Sequence, residues 1–390
     1  MPFSTLPNRN GTHSIKWDLR EKVFGKSDVI PLWVADMDFE TPDFIMTRIR
    51  ERARHPVLGY TFRPDSLSKA FTAWVNRRYQ WEIDPKWVSF SPGVVSAVST
   101  AILAFTKPGD EVIVQPPVYF PFFKSVKGLD RTLVYNPLVR EGGRLNMDFE
   151  NLRSVKNPKT RMLILCNPHN PGGSAWEPDE LTKLAEICAE HDIRILSDEI
   201  HSDLVFAPHL HTPLHMVAGG TAAKVITCMA ASKSFNIAGL SSSLVVIGDE
   251  SDRKLFEDWI QTLHIGMGNI FGAEAMTAAW EEGDQWLGDL MQYLAGNRKL
   301  LADFILQHLP MVKMVIPEAT YLAWLDFREL NLSQPELINL LVEKAGVGLN
   351  SGTEFGPGGE GFMRLNFGCP ASLLEEALIR IKNAINPDKQ

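Results

Sequence analysis

Apolar positions along this chain alternate between helical spacing and short continuous runs. Leu67, Phe71, Trp74, Val75 and Arg78 follow the three- and four-residue spacing of a helix with one apolar face, read as core. Val94, Val98, Ala101, Ile102 and Phe105 repeat that spacing directly after Pro92-Gly93, which predicts a turn feeding a helix. Residues 111–115, 132–135 and 161–166 are short apolar runs suited to strands. Leu181, Leu184, Ala185 and Cys188 mark one face of a helix over 179–190, and further strand-like runs follow at 193–196 and 225–229. Strand, helix and strand in that order imply right-handed crossovers and a mostly parallel sheet with helices on both faces. Beyond Asp252 the pattern turns mainly helical, with a long amphipathic stretch over 285–309, apolar runs at 321–325 and 362–365 and a last helix over 371–383. The expected organisation is an N-terminal segment (1–50) joining a small domain, a large α/β domain (51–285) and a small C-terminal α+β domain (286–390).

Composition narrows the class. The 390 residues are 45% hydrophobic and 22% charged, with 28 Gly and 25 Pro, which excludes disorder, collagen and coiled coil. Against 39 Lys and Arg stand 47 Asp and Glu, so no overall positive field invites a polyanion and no nucleic-acid partner is expected. Cys166, Cys188, Cys228 and Cys369 form no CxxC pair and read as reduced thiols of a cytoplasmic protein. The N-terminus shows no basic start followed by an apolar stretch, so no signal peptide is expected. The longest uncharged stretch, 87–106, carries Pro92-Gly93 and four serines and reads as strand, turn and buried helix; no membrane partner is expected.

In an open parallel sheet the ligand lies beyond the carboxyl ends of the strands, so the residues just past each apolar run carry the chemistry. Ser91-Pro92-Gly93 leads into a helix whose first backbone N–H groups suit a phosphate. Pro116-Pro117-Val118-Tyr119 projects an aromatic ring, although a core tyrosine is the simpler reading. Asn167 to Gly173 contains two Asn–Pro constraints that could hold the Asn170 amide still, where an Asx turn alone is the plainer account. Ser197 to His201 sets a carboxylate at a strand end with an imidazole three residues on. Lys233 falls at another strand end among small and apolar residues, the arrangement of a Schiff-base lysine. His201, His209, His211 and His215 invite a metal reading but lack the His-Glu-x-x-His pattern; a solvated loop and no metal are expected. Gly25-Lys26-Ser27 imitates the end of a P-loop, yet Arg20 stands where the opening glycine belongs. Gly266, Gly268 and Gly272 have one residue too many for a dinucleotide fingerprint.

Together Asn167–Pro171, Ser197–His201, Ser232–Asn236 and Arg364–Asn366 resemble the fold type I pyridoxal 5'-phosphate (PLP) enzymes. Trp33–Phe39, Leu58–Tyr60, Ser91–Val95, Pro116–Tyr119 and Gly359–Asn366 narrow the resemblance to the bacterial cystathionine β-lyase type of carbon–sulfur lyase, over almost the whole chain from Thr12. The resemblance implies an α/β fold of the PLP-dependent transferase type, its small domain built from both chain ends. It also implies a cytoplasmic homodimer of methionine biosynthesis acting on a small amino-acid substrate. Lys233 would hold PLP and act as base, Asp198 would pair with the pyridine nitrogen, and Asn170 and His201 would flank the phenolic oxygen. Tyr119 would stack on the ring, the Val94 and Val95 amides and Ser232 would bind phosphate, and Arg364 would clamp the substrate carboxylate. Tyr60 would reach the phosphate in the neighbouring subunit's site, and Lys233, Tyr60 and Tyr119 are the expected catalytic residues. Two departures stand out: His201 replaces a tyrosine common in aminotransferases, and Ala230 replaces a common phosphate-binding serine. The implied reaction is α,β-elimination of L-cystathionine and related cysteine S-conjugates to a thiol, pyruvate and ammonia. The alternatives are an aminotransferase of the same fold and a lyase with an added regulatory protein-binding role.

Overall fold

A computed structural model describes residues 3–386. Helix α1 (Asp65–Tyr79) buries Leu67, Ala70, Phe71, Trp74 and Val75, the stripe its spacing predicts. Strand β1 (Val88–Ser91) turns through Gly93 into α2 (Val94–Phe105), followed by β2 (Glu111–Val114), β3 (Thr132–Tyr135) and β4 (Thr160–Cys166). Then come α3 (Pro178–Glu190), β5 (Arg194–Asp198), β6 (Val225–Met229) and β7 (Ser243–Ile247). These strands form one seven-stranded sheet in the order β1-β7-β6-β5-β4-β2-β3. The pairs among β6, β5, β4, β2 and β3 are parallel, whereas β7 runs antiparallel to both β6 and β1.

The two-residue period of the strands divides the core. Met162, Ile164, Cys166 and Leu196 pack with α2 on one face, while Leu163, Leu165 and Ile195 pack with Leu181, Leu184 and Cys188 of α3 on the other. Each such fully buried Leu or Ile contributes about 1.5–3 kcal/mol. Asp198, two residues beyond Leu196, therefore faces the α2 side.

Strand β7 was not expected from the sequence. The connection from β6, residues 230–242, holds only turns and a 3₁₀ helix, Ala238–Leu240, with no α-helix to carry a crossover, and the strand returns antiparallel. The hairpin Val139–Glu141 with Arg144–Asn146 was also not expected; Gly142 and Gly143, at φ 59° and 89°, supply its two-residue turn.

Helix α4 (Asp284–His308) leads to a four-stranded antiparallel sheet in which β8 (Leu322–Asp326) and β9 (Phe362–Asn366) are central, before the closing helix α5 (Ala371–Ile385). Ile30–Pro31 pairs in parallel with Val347–Gly348, which brings the N-terminal segment beside this second sheet. No helix among the described residues is long and apolar enough to cross a membrane.

Candidate active site

The carboxyl ends of the parallel strands converge on a cavity of about 190 Å³. Val94, Val95, Tyr119, Asn170, Asp198, His201, Ser232 and Lys233 all line it. Each arrives by a local cause. Gly93 adopts φ 108°, a region that residues with a side chain avoid, and so β1 can turn directly into α2. Ala97 makes the first intrahelical bond, to the Gly93 carbonyl at 3.1 Å, leaving the amides of the preceding turn facing the cavity end of the helix. Beyond β4, the Asn170 N–H donates to Cys166 Sγ at 3.3 Å and the Gly172 N–H donates to His169 Nδ1 at 3.2 Å, which fixes the loop that presents Asn170. Burial drives His169 down to about 3, so it serves as a neutral acceptor.

Beyond β6, Ser234 Oγ donates to Asp203 Oδ2 at 2.8 Å, and Asn236, at φ 56°, bonds Met37 and Phe39. Lys233 is thereby clamped from both sides, and its Nζ donates to the Ala35 carbonyl at 2.6 Å. Burial lowers the Lys233 amine to about 8 against the opposing pull of Asp36 and Asp198. Burial raises Asp198 to about 7, although the Ile200 N–H at 3.1 Å and Lys233 favour its charged form. Cys166 and Cys228 occupy the paired positions on either side of Asp198 in the sheet, so thiols and no hydroxyls flank it. Burial pushes Tyr119 up to about 12 and His201 well below the usual imidazole range. One buried acid and one buried amine are thus brought close to neutrality from opposite sides, the tuning that proton transfer needs.

Arg364 stands behind this cavity. Nη1 donates to Asn170 Oδ1 at 2.9 Å, Nη2 to Asn350 Oδ1 at 2.6 Å and to the Trp33 carbonyl at 2.8 Å, while the buried Nε finds no partner. Burial brings the guanidinium down to about 10. Tyr60 is the exception among the expected residues: it is 93% exposed and lines a separate depression with Phe62 and Met267.

Several lining groups escaped sequence reasoning. Ser241, at φ 46°, and Ser242 bring hydroxyls to the cavity from the turn before β7, where Ala230 carries none. The run Ser241-Ser242-Ser243 was the available signal. Ala35 contributes a backbone carbonyl, which side-chain chemistry cannot announce, and Tyr321 Oη donates to that same carbonyl at 3.0 Å.

The expected solvated histidine loop is corrected. His201 is buried, His211 Nε2 lies 2.8 Å from the buried Glu199 carboxylate, and His215 stacks on Trp81 at 5.3 Å. Residues 199–206 and 211–215 pack inward, where Asp203 accepts from Trp74 Nε1 and Tyr79 Oη of α1, whereas the turn 207–210, which carries His209, faces water as expected.

Comparison with known proteins adds to this geometry. The family model for aminotransferase class I and II matches residues 27–381. The cystathionine beta-lyase PatB of Bacillus subtilis (strain 168) is 44% identical over 387 residues, covering 99% of this chain and 100% of the relative. Cystalysin from Treponema denticola, whose crystal structure contains a pyridoxal 5'-phosphate cofactor, superposes with a TM-score of 0.95 at 34% identity, with 99% of each chain covered. The PLP-bound C-S lyase from Staphylococcus hominis gives 0.92 at 32% identity, covering 99% of this chain and 98% of that one.

Proposed function

The chain belongs to the class I and II aminotransferase family, and on that premise we propose that it is a PLP-dependent carbon–sulfur β-lyase acting on L-cystathionine and related cysteine S-conjugates. The observation that carries this reading is the Lys233 amine, which lines one cavity together with the buried Asp198 and the N-terminus of α2. The residues present fit the cofactor. His201 Nδ1 is buried without a partner, Asp198 has no cation within ion-pair distance among the described residues, and the first turn of α2 offers unused amides. An aldehyde-bearing ring with a cationic nitrogen and a phosphate would answer each of them.

When bound, PLP supplies the electron sink that lets a Cα–H bond break. Lys233 would hold the cofactor covalently and, once the substrate amine takes its place, remove the Cα proton; an amine near 8 is partly neutral at working pH. Asp198 would keep the ring nitrogen protonated, dry enough that no solvent competes for it. Asn170 and His201 would flank the phenolic oxygen, and Tyr119 would cover one face of the ring. Ser232 and the Val94 and Val95 amides would take the phosphate. Arg364 would offer its two remaining N–H groups, on Nε and Nη1, to the substrate carboxylate, with Asn170 and Asn350 fixing the plane of the guanidinium. The Cβ–S bond would then break with its electron pair leaving on sulfur while the pair from Cα–H closes a Cα–Cβ double bond, and the released three-carbon fragment would hydrolyse to pyruvate and ammonia.

The same reading makes the protein a cytoplasmic homodimer of methionine biosynthesis. Tyr60 would complete the partner's phosphate site, residues 1–50 would join a small domain with 286–390, and 51–285 would form the large domain. The high exposure of Tyr60 and Phe62 supports a second copy there. Incubation with cystathionine alone, followed by pyruvate measurement, tests the activity. Pyruvate without any keto-acid acceptor is the expected result; strict dependence on an acceptor would replace the lyase by an aminotransferase.

A further inference from the structure

The N-terminal segment carries a charge cluster that the proposed chemistry does not use. Lys16 is fully buried, and its Nζ lies 2.6 Å from Asp38 Oδ2, 3.7 Å from Asp36 Oδ1 and 3.0 Å from the Asp36 carbonyl. Arg9 reaches the same pair, with Nη2 2.6 Å from Asp36 Oδ2 and Nη1 2.7 Å from Asp38 Oδ1. Trp17 Nε1 adds a donor to Asp38 Oδ1 at 2.8 Å. Two cations and two carboxylates balance, yet burying them costs desolvation that apolar packing would avoid, so such a cluster is more informative about geometry than about stability.

What the cluster fixes is the segment carrying Ala35. From the opposite side Asn366 Nδ2 donates to the Val34 carbonyl at 2.6 Å and to the Asp36 carbonyl at 2.7 Å, and Asn236 holds Met37 and Phe39. Between these anchors the Ala35 carbonyl is left facing the cavity, where it accepts from both Lys233 Nζ and Tyr321 Oη. We infer that Arg9 and Lys16 are positioning residues whose ion cluster with Asp36 and Asp38 latches the Ala35 carbonyl in place as the acceptor for the Lys233 amine. The amine needs such an acceptor whenever it is not bonded to the cofactor, above all when it carries the proton taken from Cα; in that respect the inference rests on the function proposed above.

Other groups act on the same amine: Asp36 from the latched segment, Asp198 from β5, Arg364 from β9 and the neutral His201 beyond β5. Breaking the latch withdraws Ala35 and Asp36 together. Both favour the protonated amine, so the lysine should lose its proton at lower pH. A merely structural cluster would lower thermal stability and leave that midpoint alone.

The test uses the full chain freed of cofactor, in the parent form and as Lys16→Met, Arg9→Gln and Arg9→Lys. Acetylation of Lys233 by acetic anhydride is followed against pH by peptide mass spectrometry. The pH midpoint, unlike the rate at one pH, does not respond to a change in access. Lys16→Met and Arg9→Gln should lower it by about one pH unit, a roughly tenfold gain in neutral amine below the midpoint, while Arg9→Lys stays at the parent value. Arg9 sits at the rim of the cluster, so Arg9→Gln keeps the test open should Lys16→Met fail to fold. A midpoint that is unchanged or raised in folded Arg9→Gln overturns the inference. Because the labelling needs neither cofactor nor cystathionine, that result is separable from failure of the lyase assignment.

Discussion

Asp198 and Lys233 are pushed by the same burial in opposite directions, and the consequence for stability can be worked out. With Asp198 near 7, the folded chain between the ordinary carboxylate range and that value keeps a proton the unfolded chain has lost, so stability falls as pH rises through this window. With Lys233 near 8, the folded chain between that value and the ordinary amine range has lost a proton the unfolded chain keeps, so stability rises with pH there. In cofactor-free protein, Asp198→Asn should therefore match the parent in stability near pH 4 and exceed it near pH 8, by a few kcal/mol at most, with a correspondingly higher melting temperature there. Scanning fluorimetry across that range is the measurement; a variant no more stable than the parent near pH 8 would mean that the carboxylate is not dry. Loaded with cofactor, Asp198→Asn should retain the Lys233 chromophore while pyruvate formation drops about 100-fold or more, since the electrostatic partner is lost and the covalent anchor is not.

At the scale of elements, the site depends on how strands end. Gly93 permits the turn from β1 into α2 only because it lacks Cβ, and at φ 108° an alanine is strained whatever space surrounds it. Gly93→Ala should tilt the start of α2 away from the cavity and weaken PLP binding about tenfold or more by fluorescence titration. Binding of pyridoxal, which has no phosphate, should change far less; equal losses for both would place the defect elsewhere than the helix N-terminus. This turn was legible because Pro92-Gly93 precedes an apolar 3.6-residue stripe, and β4, β5 and β6 were legible because their apolar runs end in polar residues. Strand β7 was not, since Ser243–Ile247 reads alike as a buried strand or a helix segment and its direction depends on a connection that forms no helix. The Ala35 carbonyl was hidden for a related reason: it enters the cavity through the anchored backbone of 33–39, which no side-chain pattern encodes, while the serine run 241–243 was visible but its αL turn at Ser241 was not.

The whole molecule adds what one chain leaves unsatisfied. Val57, Leu58, Tyr60 and Phe62 are 62%, 61%, 93% and 87% exposed, an apolar surface segment just before α1. If a second copy related by a two-fold axis covers it, each site takes Lys233 from one chain and Tyr60 from the other, and the two defects can be separated by mixing. Lys233→Ala and Tyr60→Ala homodimers should each be nearly inactive. After co-refolding in equal amounts, half the dimers are mixed. In a mixed dimer one site carries both defects and the other carries neither, so activity should recover to about one quarter of the parent. Recovery at that level, absent when the variants are combined only after folding, fits sites shared across the interface. No recovery, with mixed dimers detected by native mass spectrometry, would mean that Tyr60 does not complete the partner's site and would leave the exposed segment to some other contact.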